Sequence, residues 1–468
     1  EYIDEQGNIA YYTNQTDNYN QSHYQLLFSQ KASKKINLNA ALFFTKGKGY
    51  YENYKPDQSF SAYGLNEVIM GNDTVTSTNL VNQKWLNNDF YGITFSGNYV
   101  SGDKLNVTLG GAWSNYYGEH YGKIIWAQYA SNGDNQRNWY FNTGEKSDFN
   151  IYLKANYQLL KKLNLFGDIQ YRKVDYTIQG TLDSQSPIDQ VHHFNFMNPK
   201  LGFTFDLNSA NRFYFSFAIG NREPNRNNYE VADSTYTPLP ERLYDYELGY
   251  DLKLANFTAG ACLYYMDYKN QLVLTGKINS VGEAIMTNVP DSYRTGIEVY
   301  AAANIFAWLK WNFTSTFSTN KIKNFTQYVD SYDADWNFTG QQANDLGTTN
   351  ISFSPGIIAM NTITFLPMKN FTLTVNSRYI SKQYIDNTST DNRSLDAYFI
   401  HGITIGYKVF PGFFREVGFT LNANNLFNSK YESNAWVYPY YYDNQLLEVN
   451  GYFPQALINF MGGISIKI

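Results

Sequence analysis

Two stretches of the chain gather side chains suited to holding a ligand. Arg222, Arg226 and Tyr229 stand in NREPNRNNY, and Trp436, Tyr438, Tyr440, Tyr441 and Tyr442 stand in AWVYPYYYDN. Guanidinium groups hold carboxylate, catecholate or phosphate oxygens through paired hydrogen bonds. Aromatic rings stack on planar or glycosidic ligands. Each stretch also has a plainer reading, in which Arg222 pairs with Glu223 at a rim and the rings pack a loop. His192 and His193 offer haem or metal ligands, but neighbours on a strand face opposite sides and do not easily share one ion. Asp330, Asp333, Asp335, Asp386 and Asp391 supply carboxylates without fixed EF-hand spacing. Cys262 is the single cysteine, so no intramolecular disulfide forms and a Cys-based zinc site is not indicated. Catalysis needs a convergent set and the sequence marks none. No catalytic residue, metal site or cofactor is expected.

The elements that must position these residues are strands. In VGFTLNAN, Val417, Phe419, Leu421 and Ala423 alternate with Gly418, Thr420, Asn422 and Asn424. In the closing INFMGGISIKI, Ile458, Phe460, Ile464, Ile466 and Ile468 alternate with polar or small residues. Side chains of period two give each stretch one apolar and one polar face. The same holds for Leu309, Trp311, Phe313 and Phe317 against Lys310, Asn312, Thr314, Thr316 and Ser318. Tyr244, Tyr246, Leu248, Tyr250 and Leu252 alternate with Asp245, Glu247, Gly249, Asp251 and Lys253. Four charges on one strand face are costly in a protein core and ordinary in a water-filled lumen. Cys262 is in phase with Thr258 and Gly260, which assigns it to that lumen as a small packed residue.

Connections of two lengths separate these strands. Short turns are expected at Ser33–Lys35, Ser101–Lys104, Lys161–Lys162, Asn208–Asn211, Ala255–Asn256, Phe306–Trp308, Met368–Asn370 and Phe410–Arg415. Long polar connections are expected near Glu52–Gln83, Tyr117–Asn138, Gly180–Gln190, Arg222–Pro240, Gly276–Asp291, Lys321–Gly347, Lys382–Arg393 and Tyr431–Phe453. The count is about seventeen strands with turns and loops in strict alternation, the sorting of membrane barrels with tight periplasmic turns and long outside loops. Soluble sandwiches and propellers have no reason to sort loops this way. Aromatics crowd the short turns at Phe306, Trp308, Phe410, Phe413 and Phe414, where an interfacial girdle belongs. Pro199 and Pro355 fall inside strands and predict bulges or bends.

Composition agrees. Aromatics make up 18% of the 468 residues and charged residues only 16%. A mean hydropathy of -0.46 is compatible with a barrel, because half of each strand and all loops are polar. No run of about 18 apolar residues exists, so no transmembrane helix is expected. A net charge of -5 with dispersed signs gives no reason to expect nucleic acid as a partner.

Several stretches resemble TonB-dependent outer-membrane receptors of the iron-complex, haem and cobalamin type common in Bacteroidetes. They are FMNPKLGFTF (Phe196–Phe205), NREPNRNNY, PERLYDYELGY (Pro240–Tyr250), LYYMDYKNQLVLTG (Leu263–Gly276), NANNLFNSKY (Asn422–Tyr431) and the closing strand. The resemblance implies an antiparallel up-and-down transmembrane β-barrel of about 22 strands around an N-terminal plug. On that expectation residues 1–468 are a fragment lacking the plug, the TonB-contacting box and the first strands, since Glu1 opens mid-pattern without a signal peptide. The last residue is Ile468, where the family usually has an aromatic. The implied function is active import of a scarce, bulky nutrient such as an iron-siderophore, haem or cobalamin. Implied partners are the TonB–ExbB–ExbD complex acting through the plug, a metal-chelate ligand, outer-membrane lipid and a surface lipoprotein. A glycan importer, a passive porin and an outer-membrane enzyme are the alternatives.

Overall fold

The computed structural model describes residues 2–3, 6–129, 138–230, 237–278 and 284–468. Its strands pair in the order of an up-and-down β-barrel. They fall into two compact units, Glu1–Tyr157 with Gly167–Asn198, and Gln158–Phe166 with Pro199–Ile468.

In the first unit, Asp17–Lys31, Ile36–Ser59, Ser77–Ser101, Leu105–Ala127 and Asn138–Leu160 pair antiparallel in succession. Strands of 24 and 25 residues are more than twice the ~10 that cross a bilayer. Much of the expected Glu52–Gln83 and Tyr117–Asn138 connections is therefore strand that continues past the membrane. Where these strands run past the membrane, Leu80, Ile124, Trp139 and Tyr140 form a small core with Tyr63. The Ala130–Arg137 part of one connection lies outside the described residues.

The second unit shows the two-faced wall most clearly. Phe371, Tyr407, Phe419 and Ile464 stand opposite one another across four strands, as do Leu373, Ile405 and Leu421. The interleaved rows are polar, Thr364, Thr374, Thr404 and Asn422 among them. On the polar side of Glu241–Lys253, Asp245, Glu247 and Asp251 share a face with Cys262 and Glu298, which places the cysteine in the lumen.

Two aromatic belts bound the apolar face. Phe217, Tyr246, Tyr265 and Tyr293 follow one another at ring spacings of 4.8, 6.4 and 6.2 Å. At the other end Phe306 stacks on Trp308 at 5.4 Å, and Phe413 meets Phe414 at 4.6 Å. From Tyr265 to the Ala255–Asn256 turn the strand runs roughly 30 Å, or about 24 Å along the membrane normal at ~40° tilt. That matches the apolar band of an outer-membrane barrel.

The two prolines behave differently. Pro355 lies in the break between Phe338–Asn350 and Ile357–Phe365, with Phe353 at φ 48°, and both segments pair with the one strand Leu309–Tyr332. Pro199 makes no bulge in the ladder to Asn211–Arg222. The ladder to Asn211–Arg222 begins one residue later, at Lys200 opposite Ala218, and runs without a shift. The missing N–H is thus not required by that ladder.

Candidate ligand-capture site

The long connections of the second unit fold into docked hairpins rather than loose loops. Leu309–Tyr332 and Phe338–Asn350 form one, Glu432–Tyr442 and Gln445–Pro454 the other. They join where Asp330, Ser331 and Tyr332 pair in parallel with Tyr440, Tyr441 and Tyr442. The tip of the first hairpin is built by Asp333, whose carboxylate accepts from the Asp335 and Asn337 backbone N–H groups at 3.0 and 2.8 Å and from the Asn337 amide. The Asn337 side chain and then the backbone bonds hold the Asp333 carboxyl below its ordinary value.

Around this junction the rings gather. Trp336 lies 4.5 Å from Tyr442 and 5.9 Å from Tyr440, and Tyr440 meets Tyr438 at 6.1 Å and Tyr332 edge-on at 6.4 Å. Trp336 and Phe338 are 58% and 60% exposed, so the cluster opens to solvent. A charged centre lies beside it. The Tyr438 hydroxyl donates to Asp330 at 3.1 Å, Lys277 Nζ is 3.7 Å from the same carboxylate, and that ammonium sits 5.0 Å from the Tyr438 ring centre. Burial, then the Tyr332 hydroxyl and the Asp330 charge, raise the Tyr438 hydroxyl above its ordinary value, so it stays a donor. The Tyr438 and Tyr442 hydroxyls are committed to Asp330 and the Ala334 carbonyl, so what the cluster offers a ligand is ring faces to stack a planar group and an ammonium beside them for its oxygens.

A packed layer supports the junction. Ile385, Leu395, Ala435 and Val437 are buried together, with Phe353 against them. Arg393, only 4% exposed, reaches Asp386 at 3.0 Å and Glu448 at 2.6 Å. Burial works against its charge, but the two carboxylates outweigh that and hold its pKa above the ordinary value. Asn387 accepts from the Ser352 N–H and donates to the Leu274 carbonyl, both at 2.8 Å. Gly276, at φ +84°, has no room for a side chain: a Cβ there would meet Val437 Cγ1 at 2.9 Å.

The sequence-predicted residues divide between this junction and another connection. Tyr438, Tyr440 and Tyr442 share one strand face with Trp436, which lies so close over Gly451 that a Cβ there would meet its Nε1 at 2.1 Å. Tyr441 faces the other way, its hydroxyl accepting from Asn344 at 3.5 Å. Arg222 is 59% exposed and pairs with Glu241 at 3.0 Å, its cross-strand neighbour, instead of the expected Glu223. Arg226 bonds Glu230 at 2.5 Å within the single turn Arg226–Glu230, and Tyr229 is only 3% exposed. Asn225 and Asn228 cap each other's backbone at 2.9 and 3.0 Å, so NREPNRNNY builds a folded turn. Likewise Asn425, at φ 49° and 6% exposed, bonds Ser429 and the Ala456 carbonyl, which makes NLFN a turn anchor.

Four of the five aspartates serve locally. Asp330 and Asp386 are engaged as described, Asp333 shapes its tip, and Asp391 pairs with Lys382 at 2.6 Å. His193 bonds Asp175 at 2.7 Å while His192, on the opposite face, bonds Gln190 at 3.0 Å. The sequence reading missed Lys277, Tyr332, Trp336 and Arg393. The alternation continuing through Lys321–Gly347 was the available signal for the hairpin that carries two of them.

Residues 2–426 match the family described as TonB dependent receptor-like, beta-barrel. No curated protein matches the chain. Among similar solved structures, the ferric-catecholate import receptor Fiu from E. coli K12 in its closed form is 15% identical over 98% of this chain and 66% of that one, with a TM-score of 0.62. The siderophore receptor PiuA from Acinetobacter baumannii is 15% identical over 96% and 65%, with a TM-score of 0.64. The copper transporter OprC is 13% identical over 95% and 65%, with a TM-score of 0.69. At these identities the likeness is one of fold, and the chain spans just under two thirds of those receptors' length. Sequence family, strand order and two-faced wall agree: this chain belongs to the TonB-dependent receptors, as their β-barrel domain in the outer membrane.

Proposed function

We propose that this barrel belongs to an active importer that captures a metal chelate, most simply a ferric siderophore. The observation that carries the reading is the open ring cluster of Trp336, Tyr438, Tyr440 and Tyr442 beside Lys277. Such a site takes a bulky ligand that is flat in part and anionic in part, which a catecholate chelate is. The exposed guanidinium of Arg222 supplies a second cation, with Arg226 and Tyr229 shaping its loop. Haem and cobalamin are cargoes of comparable bulk. Import would draw energy from TonB–ExbB–ExbD through a plug, and a surface lipoprotein is a further partner of this reading. The barrel does no covalent chemistry and needs no cofactor. Its polar rows line the passage.

Binding of a radiolabelled ferric tris-catecholate to whole cells tests the capture assignment. Lys277→Ala and Tyr440→Ala are each expected to weaken binding by about ten- to a hundredfold, the loss of one charge-assisted or ring contact. Arg226→Ala is expected to weaken it less, because that side chain is engaged with Glu230. Parental affinity in both Lys277→Ala and Tyr440→Ala, at equal barrel abundance, would remove capture from this junction.

A further inference from the structure

The apolar face of the first unit carries a second set of rings where the lipid band has already ended. Its lipid rows are Leu42, Ile93, Trp113 and Phe149, then Phe44 and Tyr91. Above them the same face turns polar, with Lys46 bound to Asp89 at 3.0 Å, then Lys48, Asn87 and Glu119. The next row is aromatic again. Tyr50, Trp85, Tyr121 and Phe141 are direct cross-strand partners on four successive strands. Their rings follow at 4.5, 5.9 and 6.2 Å, the last two contacts stacked at 5° and 25°. Lys48 and Lys123 place their ammonium groups 5.7 and 5.4 Å from the Trp85 ring centre. Among the described residues neither lysine forms an ion pair.

Tyr50 lies six residues beyond Phe44, which is roughly 20 Å of strand and about 15 Å along the membrane normal. The ladder therefore stands above the hydrocarbon boundary, on the wall that faces neighbouring lipid and not the lumen. Beside it is a cleft of about 370 Å³ lined by Tyr117, Phe141, Thr143, Glu145, Thr177 and Gln179. Ring faces suit the C–H faces of sugars, and hydroxyl, amide and carboxylate groups suit their hydroxyls. The two lysines suit phosphate oxygens.

We propose that this strip binds the phosphorylated sugar headgroup of a glycolipid in the outer leaflet. Continuity with the lipid-facing band favours that occupant over a free glycan: a headgroup whose acyl chains lie against Phe44, Tyr91 and Trp113 is held at the height of the ladder. The strip would give the barrel a fixed annular partner, distinct from any cargo captured at the hairpins.

The test uses full-length receptor extracted from outer membranes in mild detergent, with retained lipopolysaccharide quantified per folded barrel. Trp85→Ala with Tyr121→Ala is expected to lower retention by about tenfold, and Lys48→Gln with Lys123→Gln by about fivefold. Trp85→Phe, which keeps a ring, should retain most of it, and Trp308→Ala at the opposite girdle should change nothing. Folding is followed independently by heat-modifiable gel migration, and the lysine pair serves if the ring pair fails to fold. Unchanged retention in the folded lysine pair or ring pair overturns the proposal. Loss of a co-purifying protein with lipopolysaccharide unchanged overturns it as well, and assigns the strip to a protein partner.

Discussion

Arg393→Ala is expected to loosen the outer hairpins of the second unit by about 3–5 kcal/mol, the cost of stranding a buried carboxylate. Asp386 is as deeply buried as Arg393, so its carboxylate is stranded when the guanidinium goes, while Glu448, three-quarters covered, keeps only the Asn392 amide as a side-chain partner. The pair joins two connections far apart in sequence, Lys382–Arg393 and the last hairpin. Ile385 shares the link through its N–H bond to the Arg393 carbonyl at 2.9 Å. Hydrogen exchange at Ile385 and Ser352 should quicken a hundredfold or more. Amides of the membrane strand Phe371–Ile380 should not change. Arg393→Lys should fall between, because an ammonium keeps the charge and loses the fork that spans both carboxylates. Unaltered protection at Ile385 in Arg393→Ala would mean that apolar packing alone holds the layer.

Phe313→Arg should cost about 2–4 kcal/mol of folding into lipid, and the same change at Thr314 far less. The two neighbours point to opposite sides of one strand. Phe313 shares its row with Ala301, and Thr314 with Tyr300, whose hydroxyl reaches Asp251 at 2.8 Å. Phe313 lies five residues from Trp308 of one girdle and eight from Lys321, the partner of Tyr293 in the other. It is thus near the bilayer midplane, deeper than Trp311, which sits close to the Phe306–Trp308 turn and donates its indole N–H to Asn361 at 2.7 Å. The fraction of folded barrel after refolding into vesicles, read by heat-modifiable migration, gives the difference. Equal losses at both positions would contradict the assignment of faces.

The wall was legible because period two is a local property: Phe371, Leu373 and Val375 declare a face without knowledge of their partners. The short turns were legible for the same reason, being bounded by strands of fixed period. What lies outside the membrane was not, because it depends on pairings between distant segments. Tyr440–Tyr442 meet Asp330–Tyr332 across more than a hundred residues, and no spacing within either stretch announces it. Arg393 looks like an ordinary loop cation until Asp386 and Glu448 are brought to it. Arg226 and Tyr229 are the converse. Their types suit a ligand, and the fold employs them in one tight turn. Pro199 shows the limit of a rule about single residues, since the cost of a missing N–H depends on where the ladder starts.

The central claim, that this barrel serves energy-coupled import of a metal chelate, is tested most directly by uptake. Cells carrying the full-length receptor as their sole outer-membrane route for ferric tris-catecholate should accumulate radiolabelled iron inside, and collapse of the proton gradient should stop accumulation while surface binding persists. Accumulation that continues at the same rate without the gradient, or that follows chelate concentration without saturating, would mark a passive pore and contradict the account.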